Sequence, residues 1–309
     1  MRDRIRVAEP CAHLNFLIIG AMKAGSTSLF EFLAAHPSVY VPQNKEPHYF
    51  SMRYYYPGAY YRWLFRERGE QQICGEASTS YSNVNRFPRC PERIANDAPN
   101  VRIIYVIRDP IQRILSNLRH LRLRGYETGI DSKTVKDPSL WNKSRYRDTV
   151  EAYLEYFPPS KIFIADLNEL RKDEEWLHRI LRFLELDEHS CENFALPESN
   201  VSEQRSVESS WVSRIARSPL GDLVRDILPS ERIEELKKLV SKYKQPDKSR
   251  APIIAEVPDV PEVTEEDLRA RYPDLCNELD SQYHWVRKHF IEPHAVSSHF
   301  SSHKFTLVK

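Results

Sequence analysis

The sequence predicts an α/β fold in which a central, mostly parallel sheet is flanked by helices. Three observations predict it. Five short apolar runs suit buried strands, amphipathic helical patterns fall between them, and the first run passes straight into a glycine-bearing loop and a helix. The strand candidates are residues 16–19, 39–41, 72–74, 101–107 and 161–165. The helical patterns occupy 27–35, 59–68, 91–98, 110–122, 145–157 and 174–184. Strands that alternate with helices pair side by side in parallel and have both faces covered.

The individual elements carry their own signals. In the first helix Leu29, Phe32 and Leu33 share one face, and His36-Pro37 supplies the stop. Before 110–122, Asp109 is a good N-cap, Pro110 suits the first helical turn, and Gln112 stands three residues after the cap. Ile111, Leu115 and Leu118 form the apolar face of that helix, so Arg113, Arg119, Arg122 and Arg124 read as a solvated basic face. Residues 128–144 turn polar and predict an excursion over the surface, of the kind that often covers a binding site. After Leu186 the pattern weakens; two more helices are expected at 230–243 and 264–289, joined by an extended stretch with Pro246, Pro252, Pro258 and Pro261. The whole chain, 1–309, reads as one domain: a core over about 14–206, a helical extension over about 207–292, and a frayed tail from Pro293 whose His294, His299 and His303 are not a metal site.

Composition bounds the partners. Lysine and arginine number 45 against 44 acidic residues, which excludes the overall basic field of a non-specific nucleic-acid binder; anion binding must be local. The five cysteines (Cys11, Cys74, Cys90, Cys191, Cys276) lack C-x-x-C spacing and read as reduced thiols, with no metal site and no disulfide framework. The apolar run at 16–20 is too short for a signal sequence or a membrane span, so a cytoplasmic protein without an integral membrane segment is expected. Oligomeric state is not encoded in any of these features.

The loop after the first strand reads GAMKAGST (20–27). Strand, two glycines, lysine and helix start coincide there, and such a helix N-terminus binds anions through unpaired amides and the helix dipole. In the nucleotide-binding pattern G-x-x-x-x-G-K-[ST] the lysine follows the second glycine. Here Ser26 takes that place and Lys23 precedes it by three residues. A kinase using Mg-ATP remains an alternative, since residues 162–166 (IFIAD) end in an aspartate, Asp166, placed like a magnesium-binding one. A non-catalytic nucleotide-binding module is another.

Residues 20–37 (GAMKAGSTSLFEFLAAHP) resemble the 5′-phosphosulfate loop of sulfotransferases that use 3′-phosphoadenosine 5′-phosphosulfate (PAPS), in the branch that includes the heparan sulfate and bacterial carbohydrate enzymes. Residues 107–116 (IRDPIQRILS) resemble that family's 3′-phosphate motif, strand-Arg-x-Pro-x-x-Arg-x-x-Ser. The resemblance implies a P-loop-like sulfotransferase fold. It implies that Lys23 and the amides and hydroxyls of Ala24, Gly25, Ser26, Thr27 and Ser28 hold the 5′-phosphosulfate, and that Arg108 and Ser116 hold the 3′-phosphate. PAP would be the product, and no metal would be required. NKEPHYF (44–50) is similar to the segment Glu-x-His-Phe-Phe that carries the family's catalytic glutamate, which makes Glu46 the first candidate for the base and His48 the second. GEASTSY (75–81) resembles Glu-Lys-[Ser/Thr]-Pro-x-Tyr near the acceptor, but Ala77 and Thr79 replace the lysine and the proline. A lysine contact to an anionic polysaccharide is thereby missing. NVSEQRS (200–206) is similar to a downstream cofactor-covering loop and adds Arg205 as a ligand. Tyr54, Tyr55, Tyr56, Tyr60, Tyr61 and Trp63 offer either core packing or a stacking surface. The expected acceptor is a small molecule, a glycolipid or a carbohydrate.

Overall fold

The computed structural model describes residues 11, 14–70, 72–191 and 261–292. Five parallel strands form one sheet in the order β2-β3-β1-β4-β5, where β1 is Leu14–Gly20, β2 Val39–Tyr40, β3 Ile73–Ala77, β4 Arg102–Ile107 and β5 Ile162–Asp166. All five expected strands are present. Between them lie α1 (Ser26–Ala34), α2 (Gly58–Trp63), α3 (Cys90–Asp97), α4 (Pro110–Arg122) and, before β5, α7 (Tyr146–Leu154); α8 (Leu167–Lys172) and α9 (Glu175–Phe183) follow β5. The helix at 110–122 begins and ends where the sequence predicts, because Asp109 accepts from the Gln112 amide at 2.8 Å and Pro110 opens the first turn.

The strand β1 is the centre of the sheet. Phe16, Leu17 and Ile18 are wholly buried, and Phe16 lies so close to β3 that a Cβ on Gly75 would stand 2.3 Å from its ring. Only glycine lets the two strands keep that register. From β1 the chain first builds outward on one side (β2, β3) and then crosses to the other (β4, β5), so the strand order reverses at β1. Crevices at the carboxyl ends of strands, at such a reversal, are where α/β sheets bind ligands.

Three expectations are corrected. Residues 128–144 are not a polar excursion: they form α5 (Lys133–Lys136) and α6 (Pro138–Asn142), and Val135, Leu140 and Trp141 are buried. These side chains pack with Ile111, Ile114, Leu115 and Leu118 of α4 and with Leu268, Cys276 and Leu279 into a second apolar cluster. The segment is short on apolar residues but concentrates them on one side, and capping by Ser132 and Asp137 compensates for its polar stretches. The helix expected at 264–289 is broken into α10 (Glu265–Arg271) and α11 (Pro273–Val286), followed by a wider turn at Arg287–Ile291, because Pro273 cannot continue the first helix. Arg113 is not solvated. It is fully buried and donates to the Ser144 hydroxyl and the Leu140 carbonyl, tying α4 to the end of α6.

The C-terminal helices dock on the sheet through Asp166. That carboxylate, fully buried at the end of β5, accepts from the Tyr283 hydroxyl, from Arg287 Nη1 at 2.7 Å and from the Asn168 amide at 2.8 Å. Tyr283, Val286 and Ile291 complete the main core. Among the described residues, no helix is long and apolar enough to cross a membrane. The expected helix at 230–243, the proline-rich link, the tail and Arg205 lie outside the described residues.

Candidate active site

The loop after β1 turns sharply at two glycines with left-handed backbone, Gly20 (φ 146°) and Gly25 (φ 91°), and Lys23 between them also has positive φ (69°). A Cβ on Gly25 would stand 2.5 Å from Leu167, so the loop lies tight against α8. Gly25 is the N-cap residue of α1 and offers no side-chain acceptor to its first turn. The amides there are therefore not satisfied by a cap, which suits an anionic ligand. Ala24, Ser26 and Ser28 are buried in the loop, with Gly25 and Thr27 half-buried beside them.

The second motif meets the first directly. Arg108, immediately after β4, donates from Nη1 to the Lys23 carbonyl at 3.4 Å, and its own carbonyl accepts from the Tyr146 hydroxyl at 2.7 Å. Burial lowers the Arg108 pKa from its usual range, and the neighbouring Arg171 and Arg119 add to that. Among the described residues its guanidinium makes no ion pair. A half-buried arginine with Arg171 and Arg119 near it, and with no ion pair to the adjacent Asp109, fits a phosphate ligand. Ser116 is half-buried two turns along α4. Arg171 is a cation that the sequence reading did not single out, since nothing local to α8 marks it.

The base segment, 44–51, lies against the end of β3. The Ala77 amide donates to the Lys45 carbonyl at 3.2 Å, the His48 amide to Ser78 Oγ at 2.9 Å, and the Phe50 amide to the Tyr81 hydroxyl at 3.4 Å. Glu46 is about one-third exposed, at 32%. Its Oε1 lies 3.6 Å from Lys45 Nζ and its Oε2 lies 3.2 Å from His48 Nε2, while Thr79 Oγ1 donates to both oxygens at 3.2 and 3.4 Å. Lys45 also donates to Thr27 Oγ1 at 2.6 Å. That bond ties residues 44–51 to the anion loop across a separation of 18 residues, which the local sequence pattern does not reveal. Thr79 is likewise new: the residue that departs from the family pattern supplies a hydroxyl to Glu46.

The aromatic cluster divides. Tyr61 is core, stacked on Tyr49 with ring centroids 4.4 Å apart; Tyr56 and Tyr60 pack half-buried against it, and Trp63 lies beneath Arg66. Tyr55 alone of the six is largely exposed, at 72%.

A match to the sulfotransferase domain family spans residues 14–218. The chain belongs to that family. Heparan sulfate glucosamine 3-O-sulfotransferase 3A1 of Mus musculus is 32% identical over 181 residues, which cover 55% of this chain and 45% of that protein. The bifunctional heparan sulfate N-deacetylase/N-sulfotransferase 4 of Mus musculus is 29% identical over 207 residues, 59% of this chain and 23% of that protein. The chain thus spans less than half the length of these curated relatives. A sulfotransferase crystal structure from Alicyclobacillus acidocaldarius aligns over 72% of this chain and 95% of its own, with TM-score 0.51 and 23% identity, and has the same fold. In this family setting Asp166 is a structural anchor: its carboxylate is held by Tyr283, Arg287 and the start of α8, which removes the feature that favoured a kinase.

Beneath Glu46 lies a second carboxyl, Glu76 of β3, fully buried and accepting at Oε1 from Tyr81 at 2.6 Å and from Tyr61 at 3.2 Å. Burial pushes its pKa up to about 8 despite those donors. Folding therefore retains a proton that the unfolded chain, with the ordinary value of 4.5, releases. The stability that this proton provides is complete below 4.5 and is lost as pH rises through about 8. Between those values the contribution falls by about 1.4 kcal/mol per pH unit. Glu76→Gln keeps an acceptor for both tyrosines and removes the titration. Urea unfolding at pH 5, 6, 7 and 8 is expected to show wild type losing stability relative to Glu76→Gln as pH rises; parallel curves would contradict a neutral Glu76.

Proposed function

We propose that this protein is a sulfotransferase that moves the sulfuryl group of PAPS to an acceptor hydroxyl. The observation that carries the reading is the contact between Arg108 and the Lys23 carbonyl, which joins two anion motifs at the ends of the neighbouring strands β1 and β4. PAPS carries phosphate at both the 3′ and the 5′ position, and ATP has no 3′-phosphate. Lys23, Ala24 and the first turn of α1, from Gly25 through Ser28, would hold the 5′-phosphosulfate. Arg108 and Ser116 would hold the 3′-phosphate, with Arg205 as a further ligand by resemblance. When bound, PAPS supplies an activated sulfuryl group.

The chain's own residues perform the rest. Glu46 takes the acceptor's proton as its oxygen attacks sulfur in line. Lys23 and the amides of α1 balance the charge that develops on the departing 5′-phosphate. Lys45, bonded to Thr27 and next to Glu46, keeps the base at a fixed distance from the anion loop. The heparan sulfate relatives favour a carbohydrate hydroxyl as acceptor. Ala77, in place of the family's lysine, favours a less anionic one than heparan sulfate, and small molecules and glycolipids belong in the same acceptor panel. A cytoplasmic location goes with this reading as a proposal of its own.

Calorimetry with PAP and with Mg-ATP, followed by labelled sulfate transfer to that panel, tests the proposal; Mg-ATP binding with indifference to PAP would defeat it. Arg108→Ala should weaken PAP by about 10- to 100-fold, the usual range for a charge-assisted contact, and leave binding of adenosine 5′-phosphosulfate within about twofold. Glu46→Gln is expected to lower kcat by about 10²- to 10⁴-fold with PAP affinity nearly unchanged. Lys23→Ala is expected to reduce transfer by about 10²- to 10³-fold while PAP binding falls less than tenfold, and equal losses in both would contradict a role in transition-state charge.

A further inference from the structure

We propose that Arg171 of α8 is a third ligand of the 3′-phosphate, beside Arg108 and Ser116; this rests on the sulfotransferase reading. The placement follows from the sheet. Ile107 at the end of β4 pairs with Asp166 at the end of β5, so Arg108 and Leu167 leave the sheet side by side. The Asp166 carboxylate accepts from the Asn168 amide at 2.8 Å and caps α8, so the helix begins at that point. Leu167 then packs against the anion loop, where a Cβ on Gly25 would stand 2.5 Å from its Cδ1. Arg171 is about one helical turn on from Leu167 and shares the face of α8 that is turned to the loop and to Arg108.

The charges at this spot are unbalanced. Arg171 is exposed and, among the described residues, forms no ion pair. Burial first, and the charge of Arg171 next, lower the pKa of Arg108, which places the two guanidiniums near each other; Asp109 offsets this only weakly. The carboxylates of the neighbouring segments are engaged elsewhere. Asp166 and Glu169 accept from Arg287 at 2.7 and 3.0 Å, Asp109 accepts from the Gln112 amide at 2.8 Å, and Glu262 lies 3.8 Å from Arg119. Two guanidiniums with no carboxylate between them repel until an anion bridges them. A phosphate monoester, with roughly two negative charges near neutral pH and three acceptor oxygens, suits that position.

The test is calorimetry on the full chain with PAP and with adenosine 5′-phosphosulfate, which has no 3′-phosphate, for wild type, Arg171→Ala and Arg171→Lys. Thermal melting of each, with and without PAP, accompanies it. Arg171→Ala should bind PAP about 5- to 10-fold more weakly and adenosine 5′-phosphosulfate within about twofold of wild type, and Arg171→Lys should recover most of the loss. Because the substitution takes a like charge away from Arg108, free Arg171→Ala should melt no lower than wild type, while the rise in Tm that PAP produces should shrink. Unchanged PAP affinity overturns the proposal. So does equal weakening toward both ligands with a lower Tm of the free variant, the signature of a structural arginine. A wild type that does not bind PAP would overturn the sulfotransferase reading and this assignment with it, whereas PAP binding equally tight in wild type and Arg171→Ala would overturn this assignment alone.

Discussion

All five strands point the same way, so their C-terminal ends share one edge, and the segments that leave β1, β3 and β4 meet there. The anion loop follows β1, Arg108 follows β4, and β3 ends in the residues that hold the base segment. The register makes this possible: Ile18 pairs with Ala77 and Gly20 with Tyr105, so the three exits are nearly level. Gly75 protects that register by letting the Phe16 ring lie flat against β3. A side chain there would push β3 away and carry the base segment with it.

How much of this was legible in the sequence follows from how local each signal is. The loop at 20–27, the helix start at Asp109-Pro110 and the five strands are written in consecutive residues, and the structure has them where the pattern puts them. Arg113 was misread because helical spacing says which residues share a face, and not what a distant segment brings to that face; its partners Leu140 and Ser144 arrive from α6 and its end. The burial of Val135, Leu140 and Trp141 has the same cause, since their partners on α10 and α11 are more than 120 residues away. The base segment illustrates the limit most clearly. Glu46 is marked by its neighbours in sequence, whereas Thr27, Thr79 and Ser80, which set its surroundings, come from the first turn of α1 and from the turn after β3.

Asp166 shows how one residue can carry two opposite readings. At the end of an apolar strand it looks like a metal-binding aspartate, and the same position makes it the natural cap for α8. Once Tyr283 and Arg287 approach, the fully buried carboxyl has three donors, and it fastens the C-terminal helices to the sheet. With Asp166 engaged in this packing, the side chain that meets the loop after β1 from the next strand is Arg108.

Glu46 and Glu76 are two carboxyls at the end of the same layer, and their surroundings push them into different roles. Glu76 is sealed beneath Tyr61 and Tyr81, with no cation bonded to it among the described residues, and burial favours its neutral form. Glu46 is partly solvated and has Lys45, His48 and Thr79 about its oxygens. Glu76 in turn holds Tyr81, and Tyr81 accepts the Phe50 amide of the base segment. The buried acid thus bears on the position of the exposed one, through Tyr81 and the Phe50 amide.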